Sequence, residues 1–322
     1  MPHWQLQTPV VFLIFNRFET TARVFEAIRQ ARPPKLLVVA DGPRPDHPGD
    51  AEKCARARSI IDQVDWDCEV LTNFADTNMG CKRRISSGLD WVFDIVEDAV
   101  ILEDDCLPTM EFFRFCDELL AKYVHDTRVG MISGNNFGFK LYDSALSYSF
   151  SKHGLIWGWA TWKRAWQRYH DVSHFSDEEL NLIKANISDN QEFVDIWWKG
   201  AEAAIQGRLD AWDYLWGVAR YANNFLTIRP KVNLVANIGF GEEATHTKGQ
   251  PHSMYIATGR LEFPLTHPKF VAPDYVADKM LEAVFASRDQ LKLSNKMKKW
   301  IKDRIRVYLS VEQWLISIGR KR

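Results

Sequence analysis

Three adjacent acids, Glu103, Asp104 and Asp105, follow the apolar run Ala99 to Leu102. Neighbouring carboxylates repel one another, which is tolerable in water but costly in a cleft. A hard divalent cation, Mg²⁺ or Mn²⁺, removes that cost, and such ions commonly share one or two carboxylates with substrate phosphates. An acidic surface loop leading into a helix at about Thr109 accounts for the same residues, since motifs this short recur by chance. A second constellation bears on the choice. Asn78-Met79-Gly80-Cys81-Lys82-Arg83-Arg84 opens a helix with three consecutive cations, although the macrodipole favours anions at that end. A solvated basic turn is one outcome. A bound phosphate, which also accepts hydrogen bonds from helix-terminal N–H groups, is the other. A diphosphate lying between these cations and the acids satisfies both groups at once.

Further along, Asp210 and Asp213 lie three apart at the start of a helix read from about Arg208 to Trp216, hence on one face of it. Asp210 reads as a helix cap or as a reserve base. Asp213, one turn in and flanked by aromatics, suits a general base that takes a proton from a hydroxyl. His246, in the stretch 237–247, reads either as a structural histidine or as a ligand closing over a nucleotide and its metal.

The elements that must position these residues alternate in type. Val10 to Phe15 is an apolar strand ending at Asn16-Arg17, with a helix from about Thr20 to Ala31. Lys35 to Ala40 is a second strand, ending in Asp41-Gly42-Pro43. A helix from about Ala51 to Val64 and a strand from Asp67 to Thr72 come next, then the basic helix and the strand that carries the acids. Such alternation implies a mostly parallel α/β sheet flanked by helices. Right-handed crossovers then put Arg17, Asp41 and the acids 103–105 on one rim, at the carboxyl ends of the strands where ligands bind. A helix from about Thr109 to Tyr123 and a strand from Val129 to Ser133 continue the pattern. Helices are expected at about 177–186 and 191–206, and short strands at about 225–228 and 233–235.

Thirteen tryptophans are unusual for a chain of this length, and they crowd between Trp157 and Trp216. Trp159, Trp162 and Trp166 recur at helical spacing, which reads as a core stripe. Exposed indoles also stack on the apolar faces of sugar rings, so Trp157, Trp159 and Trp212 are candidates for holding an acceptor. The glycines at 154 and 158 place Trp157 in a loop.

The 322 residues can bury a large core, read as a domain over 1–265 and an extension over 266–322. Charge is balanced, with 41 Lys and Arg against 42 Asp and Glu, so no global field points to nucleic acid. Five cysteines without a Cys-x-x-Cys pair suit a reduced, cytoplasmic protein. No stretch approaches the 18 or so apolar residues of a membrane span. The basic end is the exception to the balance. From Arg288 to Arg322 eleven Lys and Arg stand against three acids, with apolar residues at helical spacing. Such a helix packs on the domain or a second subunit, giving a homodimer, or lies on an anionic membrane from the cytoplasmic side.

In order and context the chain over about residues 8–250 resembles the GT-A glycosyltransferases, specifically the branch like N-acetylglucosaminyltransferase I. Glu103-Asp104-Asp105 is similar to that branch's Glu-Asp-Asp form of the Asp-x-Asp element. The resemblance implies that Asp105 holds the metal while Glu103 and Asp104 flank the nucleotide. Asn16-Arg17 looks like the family's Asp-Arg, which implies Arg17 for the base or diphosphate, and Asp41 falls on its uracil-reading acid. Ala211-Trp212-Asp213-Tyr214 is similar to the segment carrying the base, except that Tyr214 replaces one of the paired acids. Arg229-Pro230, Phe240-Gly241 and Thr245-His246 look like a late family stretch. The chain also looks like bacterial nucleotide-diphospho-sugar transferases labelled haemolysin-like. The resemblance implies a GT-A, Rossmann-like fold. It also implies inverting transfer of a sugar from a nucleotide diphosphate, UDP favoured, to a glycan or lipid-linked glycan of a polysaccharide pathway. The competing readings are a sugar-1-phosphate nucleotidylyltransferase, whose Gly-rich N-terminal loop is absent, and a non-enzymatic glycan- or membrane-binding protein.

Overall fold

The computed structural model describes residues 4–136, 145–239 and 257–288. Strands and helices alternate as β1 (Val10–Ile14), α1 (Phe18–Ala31), β2 (Lys35–Ala40), α2 (Asp50–Arg58), β3 (Glu69–Phe74), α3 (Cys81–Ile95) and β4 (Asp98–Glu103). After them come β5 (Cys106–Pro108), α4 (Met110–Lys122), β6 (Val129–Ser133), β7 (Tyr148–Ser151), β8 (Trp159–Trp162) and α5 (Lys163–Trp166). The chain continues through α6 (Asp177–Ile187), α7 (Gln191–Ile205), α8 (Asp213–Ala222), β9 (Leu226–Pro230), β10 (Val235–Asn237) and α9 (Tyr275–Arg288). Eight strands form one sheet in the order β3-β2-β1-β4-β8-β6-β9-β7, while β10 pairs with β5 in a separate ribbon. The first four are parallel, β6 runs parallel to β9, and β8 and β7 are antiparallel to their neighbours. The fold is a mostly parallel, Rossmann-like α/β sheet flanked by helices.

Both faces of the sheet are covered, which is why β1, β2 and β4 read as unbroken apolar runs. Val10, Phe12, Val38, Val100 and Leu102 point to one side, against Phe112, Phe115 and Leu119 of α4. Val11, Leu13, Leu37, Val39 and Ile101 point to the other, against Ile85, Leu89 and Val92 of α3. That second side continues into an indole cluster, in which Trp159 stacks on Trp212 with ring centroids 5.5 Å apart, and Trp166 lies 5.5 Å from Trp216.

The structure corrects the helical reading of Trp159, Trp162 and Trp166. Trp159 to Trp162 is a strand inserted antiparallel between β4 and β6. Positions three apart share a face on a helix but oppose each other on a strand. Accordingly Trp159 belongs to the α3-side core and Trp162 to the α4-side core. Gly158, at a φ of +67°, sets the turn that starts the strand. β7 was not expected either. Of the extension expected from residue 266, the described part packs closely: Asp274 N donates to Phe150 O at 2.7 Å, and α9 lies against α7 and β7. Among the described residues no helix is long and apolar enough to cross a membrane.

Candidate active site

At the carboxyl ends of β1 and β4 the chain turns out of the sheet with Asn16-Arg17 and Glu103-Asp104-Asp105 side by side. Arg17 joins them. One guanidinium nitrogen makes an ion pair with Asp104 and donates to Asp105 Oδ2 at 3.1 Å. Asp104 is buried and also accepts from Phe15 N at 3.3 Å. Burial pushes its carboxyl up from the usual range, and Arg17 pulls it back. Burial likewise works against the Arg17 cation, but the two facing carboxylates outweigh it and raise its pKa. Asp105 is the more open acid, with 16% of its side chain exposed against 5% for Asp104. The β5–β10 ribbon brings residue 239 over it: Ile238 N donates to Asp105 O at 2.8 Å, and a Cβ on Gly239 would lie 2.2 Å from Asp105 Oδ2. Only a glycine passes there.

Glu103, the last residue of β4, has its carboxyl pushed well up, by burial first and then by Asp105, Asp104 and Asp213. The same Asp213 charge, with those of Glu103 and Asp210, bears on the Cys81 thiol, already raised by burial. Asp213, in the first turn of α8, thus lies within electrostatic reach of Glu103 despite following it by more than 100 residues. A carboxylate is also well placed at a helix N-terminus. Asp213 at the same time forms part of the wall of a cleft of about 270 Å³ whose sides come from the loop 153–157, α7, α8 and α9. Trp157, half-buried in that loop, lines the cleft too.

The anion expected at the start of α3 is supplied by the protein itself. Asp210 accepts from Cys81 N through Oδ2 and from Lys82 N through Oδ1, both at 2.8 Å. Gly80, at a φ of +80°, allows this approach, since a Cβ there would lie 2.8 Å from the same carboxylate. Asp210 thus caps α3 from a distant segment, and α8 begins only at Asp213. The two acids do not share a helix face, and Asp210 is engaged as the cap of α3. Asp41 is similarly engaged: Oδ1 accepts from Gly42 N and Met79 N at 2.8 Å each, and Oδ2 from Asn78 Nδ2 at 2.9 Å. It holds the loop into α3, while burial raises its carboxyl.

The three cations divide. Arg84 is buried, donating to Ala40 O at 3.1 Å and to the backbone and side-chain oxygens of Asn73 at 2.5 and 2.8 Å. Lys82 Nζ donates to Ala204 O at 3.0 Å, tying α3 to the end of α7. Both therefore clamp the scaffold, contrary to the expectation that they assist a diphosphate. Arg83 is exposed. Trp159 and Trp212 are also corrected as acceptor residues, being 1% and 2% exposed in the indole cluster. His246, with the rest of the stretch 240–247, and residues 289–322 of the basic tail lie outside the described residues.

Among the described residues no three His, Cys, Asp or Glu side chains converge as a ready-made metal cage. A cage is not what Mg²⁺ or Mn²⁺ requires, since either ion is commonly held by one or two carboxylates together with substrate phosphates. The oxygen donors of Asp105 and Glu103 fit that mode, and the acid charges that add to burial in raising Glu103 are what a cation offsets. Residues missed in the sequence include Asn78, which fixes Asp41, and Gly239, which covers Asp105. The turn-forming Asp41-Gly42-Pro43 hinted at the first, but nothing local announces the second.

No protein family matches the sequence, and no curated protein does. Solved structures resemble parts of the chain at low identity and low TM-score. A mannosyltransferase from Pyrobaculum calidifontis, in complex with GDP-Man and Mn²⁺, is 13% identical over 68% of this chain and 71% of its own, with a TM-score of 0.38. A cytidylyltransferase from Leptospira borgpetersenii is 8% identical over 51% and 64%, at 0.31. A 4-diphosphocytidyl-2C-methyl-D-erythritol synthase from Anaerococcus prevotii is 9% identical over 53% and 77%, at 0.33.

Proposed function

We propose that this protein is a metal-dependent, inverting glycosyltransferase that moves a sugar from a nucleoside-diphosphate donor, UDP favoured, to a hydroxyl of a glycan or lipid-linked glycan. One observation carries the reading: the charge of Asp213 bears on Glu103 at the end of β4, and Asp213 also lines an open cleft. That is the position required of a base lying between a donor diphosphate and an acceptor.

In this reading Arg17 steadies the diphosphate and Asp41 fixes the loop beside the nucleotide. Asp105 would hold the Mg²⁺ or Mn²⁺, which when bound neutralises charge developing on the leaving diphosphate. Asp213 accepts the proton of the acceptor hydroxyl as its oxygen attacks the anomeric carbon from the face opposite the diphosphate. The C–O bond to the diphosphate breaks as the new one forms, and no covalent enzyme intermediate is needed. The test is a thermal-shift screen of nucleotides with and without Mn²⁺, then a donor-hydrolysis screen across UDP-, GDP- and dTDP-sugars. Metal-dependent stabilisation by a nucleoside diphosphate with sugar release supports the transferase. Stabilisation by nucleoside triphosphates alone favours a nucleotidylyltransferase, and no response to any nucleotide removes both.

A further inference from the structure

The cleft beside Asp213 differs in character from the acid group. Ile156 and Trp157 of the loop, Ile196 and Trp197 of α7, and Leu281 and Phe285 of α9 make its walls. The polar side chains at its floor are engaged with the protein. His153 lies between the Tyr221 hydroxyl at 2.8 Å and Glu282 Oε1 at 2.9 Å. Arg220 donates to Thr227 Oγ1 at 3.0 Å and to Lys152 O at 3.1 Å. Of the donors in the wall, the buried Trp216 indole N–H and the Arg220 Nε–H have no acceptor among the described residues. A ring carrying several hydroxyls would lose its water there and recover few hydrogen bonds, which is unfavourable. A hydrocarbon loses nothing on leaving water and gains by burial. At about 270 Å³ the space lies just under the usual range for drug-sized ligands, about 300–1,000 Å³. It therefore takes a single ring or a short chain segment.

We propose that this cleft receives a hydrocarbon group, aromatic or aliphatic, attached to the acceptor, seated so that the reacting hydroxyl lies at Asp213. The inference rests on the transferase reading, because Asp213 links the cleft to the acid group. It goes further by requiring an acceptor that is amphiphilic beside its reacting hydroxyl rather than a free sugar. The linking oxygen next to the hydrocarbon is the natural partner for the Trp216 N–H.

The test uses the full-length chain and four probes that share one sugar: octyl β-glucoside below its micelle concentration, phenyl β-glucoside, methyl β-glucoside and glucose. Binding is followed by calorimetry, and donor turnover is measured separately. Octyl and phenyl glucosides should bind about tenfold or more tighter than methyl glucoside, as burial of a ring or chain implies. Ile196→Asp, half-exposed at the cleft wall, should abolish that preference, and Ile196→Trp should weaken it by filling the space. Unfolding temperatures check that both variants are folded, and Ile196→Ser replaces either one that is not. Equal binding of all four probes, or a preference untouched by Ile196→Asp, overturns the inference whatever the turnover. Preference for the apolar probes with no turnover of any nucleotide sugar leaves the hydrocarbon site standing and sinks the transferase reading instead.

Discussion

Two groups of acids lie on the same rim, and the protein treats them differently. Around the start of α3, Asp41 and Asp210 each accept hydrogen bonds from two backbone amides, and Asp41 also accepts from Asn78. At the end of β4, Glu103, Asp104 and Asp105 crowd together with Asp213 nearby, and Arg17 is the cation that reaches Asp104 and Asp105. A carboxylate surrounded by amide donors is a finished piece of structure, because its charge is met by fixed dipoles and any further ligand must displace them. A carboxylate pushed upward by other carboxylates is unfinished. A cation or a proton improves its situation, which makes it available for chemistry.

The largest effect that would break this contrast is at Asp105. Asp105→Ala should abolish Mn²⁺-dependent binding of UDP while the unfolding temperature stays near that of the parent, since Arg17 keeps Asp104. Calorimetric titration of UDP with Mn²⁺ decides it. Parent-like affinity would remove the acid group from the site. Next comes the pair Asp213 and Asp210. Asp213→Asn should retain donor binding and lower kcat by about 10²–10⁴-fold, the usual worth of a general base. Asp210→Asn should cost far less in kcat. Steady-state kinetics on both variants settle the order, and the reverse ranking would mean that the acid capping α3 is the chemical one.

The parallel half of the fold was legible because its strands are buried on both faces. β2 and β6 match their expected bounds, and β1, β3 and β4 agree within two residues. The same pattern placed Arg17, Asp41 and the acids on one rim. What failed depended on contacts far apart in sequence. Asp210 looked like a cap for its own helix because only local geometry is visible in a sequence, whereas the amides it serves are 128 and 129 residues away. Lys82 and Arg84 looked like phosphate ligands because three cations at a helix start lack any local partner. Their partners, Ala204 O, Ala40 O and Asn73, come from other elements. The indoles misled through period: spacing by three suits a helix, but Gly158 and the β-favouring Trp-Ala-Thr-Trp were the better signals. The cleft was invisible beyond Trp157 and Asp213, being assembled from five separate segments.

A smaller effect sharpens the structural side of the comparison. Asp210→Ala leaves the Cys81 and Lys82 amides without their shared acceptor, and loss of a capping acid costs about 0.5–2 kcal/mol. Denaturant unfolding should show that loss, whereas Asp105→Ala should show none of it. Equal destabilisation of the two variants would mean that both acids are structural.

The smallest effect concerns Glu282, an acid far from the rim that the protein has also finished. Burial alone would raise its carboxyl, but hydrogen bonds from His153 and Lys279 outweigh burial and hold it below the usual range. A hydrogen bond from Ser188 adds to theirs. A carboxylate whose folded pKa is depressed stabilises the fold above its unfolded value, about 4.3 for Glu, and that contribution fades as pH falls through the depressed value. Between pH 7 and pH 5 the Glu282 contribution to the docking of α9 should therefore be constant. Below about pH 4 it should weaken, and amide exchange in 276–286 should accelerate before exchange in β1, β2 and β4 does. Hydrogen exchange at pH 5 and pH 3, corrected for intrinsic rates, gives the answer. If α9 and the central strands lose protection together, Glu282 adds nothing local, and the hydrocarbon contacts of Leu281 and Phe285, with the hydrogen bonds that Asp278 accepts from Ser151 and Lys152, keep the helix in place.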